Sequence, residues 1–217
     1  MTWIEPEQLA RRIQMLGDVE FAELCNRLIA ETGAQHGIAR ACFAFNLSVD
    51  EPDGGIDARC IAAPTTVGRL IPRTDVVYQY KSGSRSKLAN QVASKDIIEK
   101  PRVRDALARG AAFVYLMASD RGDAFEGQVT AAVRRAGLTV DDDQIVCIGA
   151  HSIAHLLVDL PALVFTLEGG HPSIISLAEW SRRPSVSNPF VADDVLAAQQ
   201  ATLRALISAS GAPVRVV

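Results

Sequence analysis

"DVVYQYKSG", residues Asp75 to Gly83, decides how this chain folds. Side chains alternate faces along an extended strand, so Val77, Gln79 and Lys81 point one way and Val76, Tyr78 and Tyr80 the other. One face is wholly apolar or aromatic, while the other ends in an amide and an ammonium. Such groups beside an apolar sheet cost several kcal/mol to bury unless something pairs them. A partner of the right chemistry stands upstream in "DGGIDARC", Asp53 to Cys60, where the carboxylate of Asp57 follows two glycines.

Working outward from that strand, "GGIDARCIAA" and "ARACFAFNLSV" read as two further strands, joined to it through a segment holding Pro64, Gly68 and Pro72. Upstream, "EPEQLARRIQML" and "VEFAELCNRLIAET" read as helices broken at Gly17 and Asp18. In the second, Phe21, Leu24, Cys25, Leu28 and Ile29 recur at helical spacing as a buried stripe, with Glu23 beside it. Downstream, "SKLANQVASKDIIEKPRVRDAL" is helical until Pro101 breaks or restarts it. A strand "AAFVYLMAS", a helix from Phe125 to Ala136, a strand "QIVCIGA" and a helix "SIAHLLVDL" follow. An initial run of strands and then alternation predicts an α/β fold, a central mixed sheet flanked by helices on both faces.

The 217 residues are 48% hydrophobic and 22% charged, the composition of an ordinary globular protein with enough apolar residues for a core. The acidic start "MTWIEPEQ" lacks the basic and apolar regions of an export signal, and "AAFVYLMA" is too short to cross a bilayer. These features predict a cytoplasmic protein without a membrane span. Cys25, Cys42, Cys60 and Cys147 are scattered through apolar sequence with no CxxC pair, which favours core thiols over a zinc site or disulfide framework. His151 and His155 share a helical face but lack a third ligand. Net charge is -3, yet Arg59 to Arg109 holds 11 Lys or Arg against four acids, +7, leaving 11 against 21, or -10, elsewhere. A polyanion would meet the chain there, and a solvated helical face is the plainer account of the same charges.

If the strands bearing Asp57 and Lys81 form an antiparallel hairpin turning near Arg69, Asp57 faces Lys81. A carboxylate, an amide oxygen and an ammonium then meet at one end of the hairpin. Such a trio suits metal-assisted phosphodiester hydrolysis. Magnesium takes oxygen ligands and keeps several waters, and an ammonium supports charge developing on the phosphate. Gly54 and Gly55 let the backbone turn sharply just before the carboxylate. Each residue has an ordinary account too: Asp57 as a turn aspartate, Gln79 as an exposed strand residue, Lys81 as an ion-pair partner, and Glu23 paired with Arg27.

Together "FAELCNRLI", "DGGIDAR" and "VVYQYK" resemble the PD-(D/E)XK restriction-endonuclease-like superfamily, in the Mrr-like variant with glutamine in place of the second acid. The similarity runs from Pro6 to Ala118 and extends toward Leu160. It implies a restriction-endonuclease-like sheet and a Mg2+-dependent endonuclease, with Mn2+ able to substitute, acting on double-stranded DNA. Residue by residue, Asp57, Gln79 and Glu23 correspond to the metal-binding positions and Lys81 to the catalytic lysine; Arg59, Arg85 and Lys87 are the expected phosphate contacts. The loop from Ala63 to Thr74 is longer than the family hairpin.

Residues 1–168 are thus expected to form the nuclease domain and 169–217 a linker and helix. "NPFVADDVLAAQQATLRAL" with "APVRVV" is similar to the segment entering a STAND-type NTPase, although no GxxxxGK[ST] occurs in the chain. That similarity implies an effector in bacterial antiphage defence, with C-terminal NTPase and sensor domains in the full-length protein and a homo-oligomer when active. The alternative is a degenerate nuclease fold that binds DNA or another domain without cutting.

Overall fold

The computed structural model describes residues 5–46, 55–83, 87–122 and 124–167. They build a five-stranded mixed sheet in the order β1-β2-β3-β4-β5, with β1 (Phe43–Phe45), β2 (Ala58–Cys60), β3 (Val76–Lys81), β4 (Ala112–Met117) and β5 (Ile145–Ile148). β1, β2 and β3 pair antiparallel, whereas β3, β4 and β5 pair parallel. β3 is the shared strand between the two halves. The C-terminal ends of β3, β4 and β5 therefore lie along one rim. No helix among the described residues is long and apolar enough to cross a membrane.

Helices cover both faces, as the alternation of strand and helix predicts. Val76, Tyr78, Ala58 and Cys60 share a core with α1 (Pro6–Gln14), α2 (Asp18–Gln35), α6 (Ala150–Val158) and α7 (Pro161–Leu167). On the other face Val77, Phe113 and Tyr115 share one with α3 (Ala89–Gln91), the π-helical turn Val92–Ile98, α4 (Pro101–Ala108) and α5 (Ala124–Arg135). β4 is buried at every position, which explains its unbroken apolar run: a strand paired and covered on all sides shows no alternation. Pro101 restarts the helix as α4, where a missing N–H is harmless. Gln144 is a buried amide with every need met, its Nε2 donating to the Leu107 and Ala111 carbonyls and its Oε1 accepting from Asp141 N.

Helix α2 approaches β1 closely at Gly33, where a Cβ would fall on the Phe43 ring. Gly33→Val should therefore destabilise the fold by about 2 kcal/mol through overpacking, which a urea titration would read as a lower midpoint at constant slope.

Two expectations need correction. The strands read from "GGIDARCIAA" and "ARACFAFNLSV" are only three residues each. Gly55 and Ala62, both at positive φ, bracket β2 and turn the chain out of the ladder. The hairpin register also differs. Val67 pairs with Ile71 in a small inner bridge centred on residue 69 as expected, but the main ladder sets Ala58 against Tyr78, centred one residue earlier. Six residues lie between Cys60 and Val67 and only four between Ile71 and Val76, so the outgoing arm is the longer. Asp57 consequently lies beside the Ala58–Tyr78 rung, its N–H donating to Tyr78 O, rather than opposite Lys81. The loop is itself folded into the core: Leu70 and Ile71 are buried and Tyr78 Oη donates to the Leu70 carbonyl at 3.0 Å. The tail 169–217, with its expected helix, lies outside the described residues, as do Asp53, Gly54 and Arg85.

Candidate active site

Asp57 stands just beyond the end of β2, where alternation lapses: Ile56 packs with the α3–α5 side and Ala58 with the α1, α2 and α6 side. Its backbone still bridges the neighbouring strands, Asp57 N donating to Tyr78 O at 2.9 Å and Asn46 N to Asp57 O at 2.8 Å. Its carboxylate then does what the next rung of the ladder would do. Oδ2 accepts the Tyr80 backbone N–H at 2.6 Å, against the Gln79–Tyr80 peptide. A carboxylate has about four acceptor sites, so this bond alone does not exhaust it.

Gln79 is half-buried, and its Oε1 is buried without a hydrogen-bond partner. Gln144 is fully satisfied, whereas Gln79 Oε1 and Arg121 Nε are buried side-chain atoms without a partner among the described residues, and such an orphaned oxygen is a candidate for a role beyond packing. Lys81, two residues on and on the same face, is exposed at the strand end. Level with Gln79 across the parallel ladder stands Tyr115, whose hydroxyl donates to Asp96 Oδ2 at 3.2 Å. Burial first, then the Asp96 carboxylate, holds the Tyr115 hydroxyl well above its ordinary pKa, and Asp57 adds to the effect. Asp57 also raises the Cys25 thiol and the Tyr80 hydroxyl, in each case behind burial, so its charge reaches residues on both faces. That placement is the sheet's rim.

The structure ties the Asp57 carboxylate to the backbone of the strand that carries Gln79 and Lys81, and leaves Glu23 exposed on α2. At 100° per residue Glu23 lies nearly opposite the middle of the buried stripe of α2, and its side chain is exposed. Helix α2 packs on the Tyr78 and Tyr80 side of β3, the face away from Gln79 and Lys81. The α2 residue that does reach β3 is Asn26, whose Oδ1 accepts the Tyr80 hydroxyl at 2.7 Å. Asp18 binds Ser82 just past the strand.

Arg59 is half-buried in β2 opposite Val77, on the Gln79 side. Lys87 has a structural task. Its Nζ pairs at 2.6 Å with Asp96, a carboxylate only 4% exposed in the π-helical turn, and Arg121 donates to the Lys87 carbonyl at 2.7 Å. A second lysine, which the motif did not single out, borders the site. The stem of Lys100 covers Gly55, with its Cδ 2.8 Å from where a Cβ would sit. Gly55 does hold a positive φ of +84° as the turn before Asp57 requires, and Lys100 fills the space its missing side chain leaves. A separate polar cluster lies past β4, where His151 Nδ1 meets Asp120 Oδ2 at 2.6 Å and Asp120 Oδ1 accepts the His151 N–H at the start of α6.

Whether these groups suit a divalent ion follows from the donor set. Among the described residues no three His, Cys, Asp or Glu side chains cluster to hold a metal. One carboxylate and one unpartnered amide oxygen remain, all hard oxygen donors. They fit Mg2+ or Mn2+, which retain waters and take further oxygens from a phosphate, and do not fit a closed zinc site. Cys60 and Cys147 stay protonated at neutral pH. Burial is the chief cause that pushes Cys60 and Cys147 up to about 12. A raised thiol pKa keeps the neutral form, so at pH 8 about one in ten thousand would be thiolate. Iodoacetamide should therefore label both slowly in the native protein and rapidly in urea; fast native labelling would contradict their burial.

Comparison with known protein families, with characterised proteins and with solved structures returned no match.

Proposed function

We propose that this chain is a metal-dependent DNA endonuclease domain of the PD-(D/E)XK kind with a restriction-endonuclease-like core, hydrolysing phosphodiester bonds with little sequence specificity. The observation that supports the reading is an Asp57 carboxylate bonded to the Tyr80 N–H of the strand that also carries Gln79, whose buried oxygen lacks a partner, and Lys81. When bound, Mg2+ would supply an acidified water and neutralise charge on the phosphate. Asp57 and Gln79 would hold that ion, and the Lys81 ammonium would face the phosphate oxygens, stabilising charge as water adds to phosphorus and the P–O bond to the leaving oxygen breaks. Arg59, with Arg85, would grip flanking phosphates without reading bases. The role as effector of an antiphage NTPase, clustering with copies of itself when triggered, rests on the resemblance of Asn188–Leu206 and Ala212–Val217 alone.

One observation favours a second reading, a fold that binds DNA but does not cut it: among the described residues no three His, Cys, Asp or Glu side chains gather to hold a metal, and Glu23 is exposed on α2. Calorimetric titration with Mg2+ and Mn2+ separates the two. The nuclease reading expects saturable binding lost in Gln79→Leu, together with nicking of supercoiled plasmid; binding of DNA with no metal uptake and no nicking would favour the second.

A further inference from the structure

A cavity of about 210 Å³ opens at the end of β3 remote from the candidate site, between β2, the start of β3 and helix α4. It is lined by Arg59, Arg102 and Arg109, by Asp75, and by Cys60 and Ala111. From Val77 beside it to Lys81 is four residues of strand, or about 13 Å. It opens away from Lys81, while its Arg59 and Val77 stand two residues along the chain from Asp57 and Gln79.

The charge of this cavity differs from that of neighbouring surfaces. Three arginines outside it are matched by acids, Arg73 to Asp141 and Asp143, Arg69 to Glu126, and Arg134 to Asp142. Arg59 and Arg109 make no ion pair or side-chain hydrogen bond among the described residues. The one carboxylate in the lining, Asp75, already accepts the Ala62 N–H through Oδ1 at 2.9 Å. Arg59 and Arg109 thus share a concave space with one partly engaged carboxylate. Guanidinium forks match the oxygens of phosphate, and a recess that limits water strengthens such bonds.

We propose that this cavity binds a phosphate group, carried either by a nucleic-acid strand or by a small phosphorylated compound. Two guanidiniums, one on a strand and one near the end of a helix, converge on the ligand. The assignment does not depend on DNA cleavage.

The test is binding in EDTA with two probes, inorganic pyrophosphate by calorimetry and a fluorescein-labelled DNA duplex by anisotropy. Arg59→Gln and Arg109→Gln are compared with Arg69→Gln, which removes the same charge outside the cavity, and thermal melts verify that each variant folds. Each cavity variant should weaken at least one probe by about tenfold, the worth of a charge-assisted hydrogen bond, with Arg69→Gln near wild type. Parallel loss for DNA, with a salt dependence shallower by about one counterion per variant, identifies a strand phosphate as the ligand. Loss for pyrophosphate alone identifies a small phosphorylated compound. Wild-type binding of both probes by both cavity variants, an equal loss in Arg69→Gln, or no binding of either probe by the wild type overturns the proposal.

Discussion

Asp57→Asn should leave the sheet folded and reduce plasmid nicking in Mg2+ by about a thousandfold or more, the several kcal/mol that a correctly held divalent ion contributes to the transition state. Asparagine is the informative substitution here. Its Oδ1 can still accept the Tyr80 N–H that Asp57 Oδ2 now accepts, so the end of the β2–β3 ladder remains satisfied. Asp57→Ala would orphan that N–H, at about 1–3 kcal/mol, and confuse a lost ligand with a loosened strand. Lys81→Ala, at an exposed strand end, should abolish nicking to a similar degree with almost no change in stability. Gel assays at matched folded fraction decide the matter, and full activity in both variants would remove the nuclease reading.

Lys87→Met should destabilise the domain by about 3 kcal/mol without a matching loss of DNA affinity. Removing the ammonium leaves Asp96 buried and uncompensated, with only the Tyr115 hydroxyl to meet it. Stranded buried charges cost about 3–5 kcal/mol, and the lower end applies because the Lys87 side chain is 30% exposed and water can partly replace it. Urea titration gives the stability and anisotropy in EDTA gives the affinity. If Lys87 were chiefly a phosphate contact, the pattern would invert: affinity would fall and the urea midpoint would stay.

The contrast between Lys81 and Lys87 shows what the sequence could and could not reveal. Gln79 and Lys81 were legible because alternation along six strand residues fixes which side chains share a face, and the extended run around them left no other reading. The order of elements was legible for the same reason, since period and punctuation are local properties. The partner of Lys87 is local in the chain as well, only nine residues away, but the wide turn of Val92–Ile98 that directs Asp96 inward has no signature of its own. Glu23 was placed beside the helical stripe by number, yet which α2 residue touches β3 depends on how the helix rolls against the sheet, and that roll favours Asn26. The hairpin register slipped by two because Leu70 and Ile71 turn into the core, making the two arms of the loop unequal. Lys100 escaped notice because its role is to fill the space over a glycine 45 positions earlier.

The shared position of β3 has a mechanical consequence. Gln79 and Lys81 are anchored along their whole length by β4, itself gripped by β5, whereas Asp57 stands just outside a three-residue strand, its backbone bonded to Tyr78 and Asn46 and its carboxylate to Tyr80. The two halves of the site are thus unequally stiff: amide and ammonium form a fixed anvil, and the carboxylate is the part that can swing. Any transition between an idle and a competent state would then be a small excursion of residues 55–58 toward or away from a stationary strand.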